Sequence, residues 1–208
     1  MIIARTRDDL NQTLQKFTQK PGKLALIPTM GNLHGGHLSL VRLAKLNAKK
    51  TITTIFVNPL QFGKNEDFEK YPRSEEMDIN KLSKEKCDIL FIPVNRNEVF
   101  PKFEEVKKIE SGKLGNELCG KIRPGHFDGV LTVVNKIFDM IKPDIAIFGA
   151  KDYQQQILIS EMSKILHPYL TIIKAPIIRS KNGVALSSRN NYLSQKEMNL
   201  ASNLFKCL

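Results

Sequence analysis

Four short apolar runs and one β-branched run constrain the fold of this chain more than any other feature. They are Leu24-Ala25-Leu26-Ile27, Ile89-Leu90-Phe91-Ile92, Ile145-Ala146-Ile147-Phe148, Leu170-Thr171-Ile172-Ile173, and the β-branched Thr51 to Asn58. Runs without polar alternation suit strands buried on both faces, as in a parallel sheet. Between them lie helical stretches: Asp8 to Phe17, Leu38 to Lys49, Ser74 to Lys86, Asp128 to Ile141 and Gln154 to Leu166. A last helix is expected from a Ser194 cap to Leu208. Parallel strands need crossovers of this length. The expectation is an α/β fold: a Rossmann-like, doubly wound parallel sheet with helices on both faces. Ile177-Ile178-Arg179 reads as a short extension of the last strand. Asn95 to Lys121 has no dominant period and is expected to hold short strands and a connection.

The first core strand runs into Pro28-Thr29-Met30-Gly31-Asn32-Leu33-His34-Gly35-Gly36-His37, and a helix follows at once. The glycines permit a close backbone approach, and the free N–H groups of a helix start favour an anion. His34 and His37 add donors beside them, so the stretch reads as a phosphate cradle. Metal ligation by the two imidazoles lacks a neighbouring Cys or carboxylate to complete a set. An ordinary surface turn is the bland alternative. The other polar motifs also follow strands: Gln61, then Lys151 and Asp152. In open α/β sheets a ligand sits at those carboxyl ends, which implies one crevice.

Composition narrows the function. The 208 residues are 41% hydrophobic and 25% charged, within the range of a soluble globular chain. The net charge of +11 raises nucleic acid as a partner. However, the lysines are scattered, there is no Trp, and no basic strand is interleaved with aromatics to stack bases. A lysine-rich surface with anionic small-molecule substrates is the expectation, and a nucleic-acid partner is not. Cys87, Cys119 and Cys207 fit neither a disulfide framework nor a zinc cluster, and the first two are expected to be buried or semi-buried. No signal peptide and no membrane-crossing run is read, so the expected location is cytoplasmic.

Further motifs occur in order along nearly the whole chain: Phe56-Val57-Asn58-Pro59-Leu60-Gln61-Phe62, Tyr71-Pro72-Arg73, Leu118-Cys119-Gly120 and Arg123-Pro124-Gly125-His126-Phe127. Phe148-Gly149-Ala150-Lys151-Asp152-Tyr153-Gln154-Gln155 and Leu186-Ser187-Ser188-Arg189-Asn190 complete the series. With the cradle, the set resembles the pantothenate synthetase family of the HxGH nucleotidylyltransferase superfamily. The resemblance implies ATP-dependent condensation of pantoate with β-alanine through a pantoyl adenylate, releasing pyrophosphate and AMP. It implies His37, His34, Lys151 and Arg189 as catalytic residues. Met30, Gly149, Asp152, Ile178, Leu186, Ser187 and Ser188 join them around ATP. Gly149 and Asp152 are expected at the ribose, and Ser187 and Ser188 as hydrogen-bond donors to phosphate. Gln61 and Gln155 are implied for pantoate, with Gln61 also for β-alanine. Mg²⁺ is expected with ATP, and Asp78 is a weak candidate ligand that reads equally well as a first-turn carboxylate. Taken singly, Lys151 and Arg189 are ordinary surface charges and the glutamines ordinary loop amides.

Arg123 and His126 are read as braces, and His167 as structural. Ala150 stands where many members carry a polar or acidic residue. The resemblance also implies a homodimer and a smaller C-terminal lid. On that basis the expected domains are a catalytic unit, 1–185, and residues 186–208, which hold the Ser-Ser-Arg loop and the start of a lid that is cut short. Two other readings are kept: a different HxGH adenylyltransferase with a phosphorylated acceptor, and a nucleotide-binding remnant or basic nucleic-acid binder.

Overall fold

The structure, a computed structural model, describes residues 1–18 and 21–207. The expected helix end at Leu208 lies outside the described residues. The strands are β1 (Ile2–Ala4), β2 (Leu24–Thr29), β3 (Lys50–Ile55), β4 (Ile89–Phe91), β5 (Ile145–Gly149) and β6 (Thr171–Ala175). They form one six-stranded sheet in the order β1-β4-β3-β2-β5-β6. Every pairing is parallel, with Leu26 beside Ile52 on one side and Ala146 on the other. The doubly wound α/β sheet expected from the sequence is therefore present, with one strand more than the apolar runs marked. β1 has three residues, two of them exposed, and so carries too little pattern to be read from sequence.

Helices α1 (Arg7–Thr18), α2 (Gly35–Asn47) and α3 (Glu75–Lys84) follow the first, second and third strands. Two short helices, α4 (Gly112–Gly115) and α5 (Cys119–Ile122), precede α6 (His126–Ile141), α7 (Tyr153–Leu166) and α8 (Gln195–Cys207). Successive strand residues point to opposite faces. Leu26, Ile52, Phe91 and Phe148 join Leu10 of α1, Phe138 of α6 and Ile159 of α7 in one core. Ala25, Ile27, Leu90 and Ile147 join Val41 of α2 and Leu82 of α3 in the other. Covering both faces is what makes the central strands apolar without alternation.

Three expectations need correction. Asn95 to Lys121 holds 3-10 turns and the short helices α4 and α5, not strands; its backbone polar groups close locally within turns, as in Gly115 N–H to Ser111 O. Ile177 to Arg179 does not extend β6, and instead Arg179 forms an isolated antiparallel bridge to Ala185. Cys119 is exposed, because α5 lies on the surface, whereas Cys87 is buried. His167 is structural in placement: it is buried, its Nε2 lies 2.7 Å from Asn135 Oδ1, and its ring stands edge-on to Phe138.

One helix contact places the loop after β3. Gly129 of α6 lies under the 3-10 turn Pro59–Gln61, and a Cβ there would stand 2.1 Å from the Leu60 carbonyl oxygen. Backbone cannot yield as a flexible side chain does. Gly129→Ala is expected to lower stability by about 1–3 kcal/mol, read from the denaturation midpoint. An unchanged midpoint contradicts the close approach.

Candidate active site

The loops following β2, β3 and β5 converge on one cavity at the carboxyl edge of the sheet. The β2 loop turns through left-handed backbone at Gly31 (φ 84°) and Asn32 (φ 48°), a region Asn tolerates better than most residues. Asp78 of α3 is buried beneath it. Its two carboxylate oxygens accept the Asn32 and Leu33 N–H groups, each at 2.8 Å. Lys81, one turn further on, donates to the Leu33 carbonyl at 2.6 Å. With each oxygen accepting a backbone N–H, Asp78 braces the turn.

His34 caps α2, with its Nδ1 accepting the Gly36 N–H at 3.1 Å, and His37 Nδ1 accepts the His34 N–H at 3.4 Å. This is a reciprocal capping box built from two imidazoles. A Cβ on Gly36 would come within 2.9 Å of the folded-back His34 ring, so a side chain there would push the ring out of its capping position. With Nδ1 accepting in both rings, the neutral tautomers carry their protons on Nε2. Burial, then His34, Lys151 and Lys81, pushes the His37 pKa down to about 3. Burial, then Lys151 and Lys81, lowers that of His34 against the opposing pull of Asp152. The pair therefore offers neutral N–H donors.

Cations stand further out. Lys151 and Asp152, exposed in the 3-10 turn after β5, face each other at 3.2 Å. The Ser-Ser-Arg loop is seated by the Leu186 N–H on the Ile178 carbonyl at 2.9 Å. Ser187 Oγ accepts the Arg189 N–H at 3.3 Å. Ser188 is buried; its hydroxyl donates to Asn32 O at 3.0 Å, while Asn32 Nδ2 donates to Ser188 O at 3.3 Å. Ser188 thus ties this loop to the cradle and spends its hydroxyl proton on Asn32.

The opposite wall holds the amides. Asn58, buried at the end of β3, donates through Nδ2 to Gly129 O and to Gln61 Oε1, both at 3.1 Å. Because Oε1 is occupied, Gln61 presents its NH₂ group. His126 Nδ1 donates to Gln61 O at 2.8 Å, and Arg123 Nη1 donates to His126 Nε2 at 2.9 Å, so both residues brace the wall. Burial, the larger effect, and Arg123 lower the His126 pKa against its bond to Gln61. Gln155, in the first turn of α7, lines the cavity, and its side-chain amide has no hydrogen-bond partner among the described residues. Val130, Val133, Val134 and Ile137 of α6 make an apolar floor.

Every site residue expected from sequence lines this cavity, with Met30, Gly149, Ile178 and Leu186 completing its wall. Sequence reasoning did not assign a role to Asn58, although Asn58-Pro59 after a strand marked the position. It also missed the brace of Asp78 and Lys81, and Gly129.

The family model for pantoate-beta-alanine ligase matches residues 2–208. The chain belongs to the pantoate–β-alanine ligase family. It is thereby an enzyme, a ligase. It is 46% identical to the pantothenate synthetase of Thermoanaerobacter sp. (strain X514) over 208 residues, covering 100% of this chain and 73% of that protein. Identity to the pantothenate synthetase of Thermoanaerobacter pseudethanolicus is 50%, with the same coverage. The crystal structure of pantothenate synthetase from Thermus thermophilus superposes with a TM-score of 0.92 at 38% identity, covering 100% of this chain and 73% of that one. The Francisella tularensis ligase, solved complexed with beta-gamma ATP and β-alanine, gives 0.92 at 37% identity, covering 99% and 78%.

For this ligase the imidazole geometry makes a direct prediction. His37 remains a neutral Nε2–H tautomer between about pH 5 and pH 8, because its pKa of about 3 keeps the proton off as pH falls through the ordinary range, and His34 titrates below the usual histidine value for the same physical reason. A ¹⁵N-detected NMR titration should show no His37 midpoint near the usual histidine value, and a His34 midpoint displaced below it. An ordinary His37 midpoint, a raised His34 midpoint, or an Nδ1–H tautomer in either ring contradicts the capping box.

Proposed function

We propose that this ligase site joins pantoate to β-alanine in two steps at the cavity just described, with ATP as the activating substrate. A carboxylate oxygen of pantoate attacks the α-phosphorus, and the bond to the β-phosphate oxygen breaks, releasing pyrophosphate. The β-alanine amine then attacks the acyl carbon of the adenylate. The new amide forms, the amine loses a proton to solvent, and AMP leaves. In-line transfer of this kind needs positioning and charge stabilisation, and no covalent enzyme nucleophile.

The observation that carries this reading is the division of one cavity into two chemically distinct sides. On the cradle side, His34 and His37 donate neutral N–H groups deep in the site, with Lys151 and Arg189 as cations at the mouth. His37 is the group we assign to direct transition-state assistance. Ser187 keeps its hydroxyl proton for phosphate, while Ser188 holds the loop in place. Gly149 and Asp152 meet the ribose, and Met30, Ile178 and Leu186 frame the nucleotide. On the other side Gln61 and Gln155 take pantoate, whose dimethyl carbon suits the apolar floor, and Gln61 also meets β-alanine.

Mg²⁺ is part of the proposal as a companion of ATP. Among the described residues no three His, Cys, Asp or Glu side chains form a nest for a metal. Mg²⁺ would be held through phosphate oxygens and water and would neutralise phosphate charge when bound. Assembly as a homodimer and a cytoplasmic location belong to the same reading. Among the described residues no helix is long and apolar enough to cross a membrane, and Cys87, Cys119 and Cys207 are free thiols.

Incubation with MgATP, pantoate and β-alanine should yield pantothenate, AMP and pyrophosphate in equal amounts. Turnover with phosphopantetheine or nicotinate mononucleotide in place of pantoate would support the other adenylyltransferase reading instead. His37→Ala is expected to depress kcat about 10²–10³-fold with a much smaller change in ATP affinity, because its contact strengthens in the transition state. Equal losses in both contradict that role. Gln61→Ala and Gln155→Ala should raise the KM for pantoate more than that for ATP, and Arg189→Ala the reverse.

A further inference from the structure

The segment between the Pro59–Gln61 turn and α3 carries two consecutive carboxylates, and each grips an arginine of the cavity wall. Glu66 Oε1 accepts from Arg123 Nε at 2.7 Å, and its Oε2 from Arg123 Nη2. Arg123 Nη1 then reaches His126, which holds the Gln61 carbonyl. Asp67 accepts from Arg189 Nε at 3.0 Å and Nη2 at 2.8 Å, and is itself held by the Tyr192 hydroxyl at 3.2 Å. The Arg189 guanidinium lies over the Tyr71 ring, 5.6 Å from its centroid.

Both carboxylates take the same edge of their guanidinium, Nε and Nη2, and leave Nη1 for another partner. In Arg123 that nitrogen is spent on His126. In Arg189 it has no partner among the described residues, and Arg189 lines the cavity. A single exposed ion pair contributes little. These two are bidentate, partly shielded and adjacent in sequence, and a fork held on one edge loses less freedom when its other edge takes a ligand. The burden they carry is orientation.

We infer that Glu66 and Asp67 are positioning residues with separate clients: Glu66 sets Gln61 through Arg123 and His126, and Asp67 aims Arg189. The inference rests on the assignment of Gln61 to pantoate and Arg189 to ATP. One short segment thereby ties the acid-substrate half of the cavity to the phosphate half. Neither carboxylate touches substrate.

The test is a split in Michaelis constants. Glu66→Gln should raise the KM for pantoate about tenfold and leave that for ATP within about twofold, and Asp67→Asn should do the opposite. Tyr192→Phe, which removes only the hydroxyl behind Asp67, should shift the ATP constant the same way by a smaller factor. It keeps the test open if Asp67→Asn does not fold. Equal effects on both substrates, or none, overturn the inference, since a merely structural loop would not discriminate. A lower KM for ATP in Asp67→Asn also overturns it, by making Asp67 a competitor for Arg189. Gln61→Ala and Arg189→Ala measured alongside separate the two levels. If they lack their own substrate-specific effects, the site assignment fails; if they show them while the carboxylate variants do not, only the positioning role fails.

Discussion

The buried carboxylate of Asp78 is the interaction on which the site depends. It sits on the first turn of α3, yet its oxygens face away from solvent and into the loop after β2, where they take the Asn32 and Leu33 amides. Those amides belong to a turn with left-handed backbone and could not pair within a strand or helix. Left unsatisfied, each would cost about 1–3 kcal/mol. Lys81 closes the neighbouring carbonyl, and Ser188 and Asn32 lock the Ser-Ser-Arg loop onto the same turn. The cradle is therefore built before any ligand arrives, and α3 and the Ser-Ser-Arg loop are held by the residues that build it.

This order of construction explains how charge is distributed in the cavity. Deep in the cradle, where a cation would be costly, the donors are uncharged imidazoles whose tautomers are dictated by backbone N–H groups. The formal charges of Lys151 and Arg189 stand nearer solvent, with Asp152 and Asp67 beside them. A phosphate entering such a site meets fixed dipoles inside and carboxylate-paired cations outside. Preorganised donors of this kind require little reorganisation as charge shifts between oxygens.

Much of this was legible in the sequence because it is local. The cradle glycines, the two histidines and the helix behind them lie within one strand-turn-helix unit, so spacing alone assembles them. The parallel sheet followed from apolar runs whose two faces are both covered by helices. The illegible parts depend on partners far along the chain. Asp78 looked like a first-turn carboxylate because the amides it serves lie some forty-five residues earlier. Gly129 looked like an ordinary helix residue because the Leu60 carbonyl that excludes a Cβ comes from another element. Asn95 to Lys121 closes its backbone in short turns, which leave no period to read. Ser188 was expected to face phosphate, and only its distance to Asn32 reveals the tie.

The most direct test of the account is exchange of labelled pyrophosphate into ATP, catalysed by this chain with pantoate present and β-alanine left out. The account predicts exchange that requires pantoate, because the adenylate forms reversibly at a cradle already assembled. Exchange that needs β-alanine, or none at all while pantothenate is still produced, would contradict an adenylate intermediate at this site.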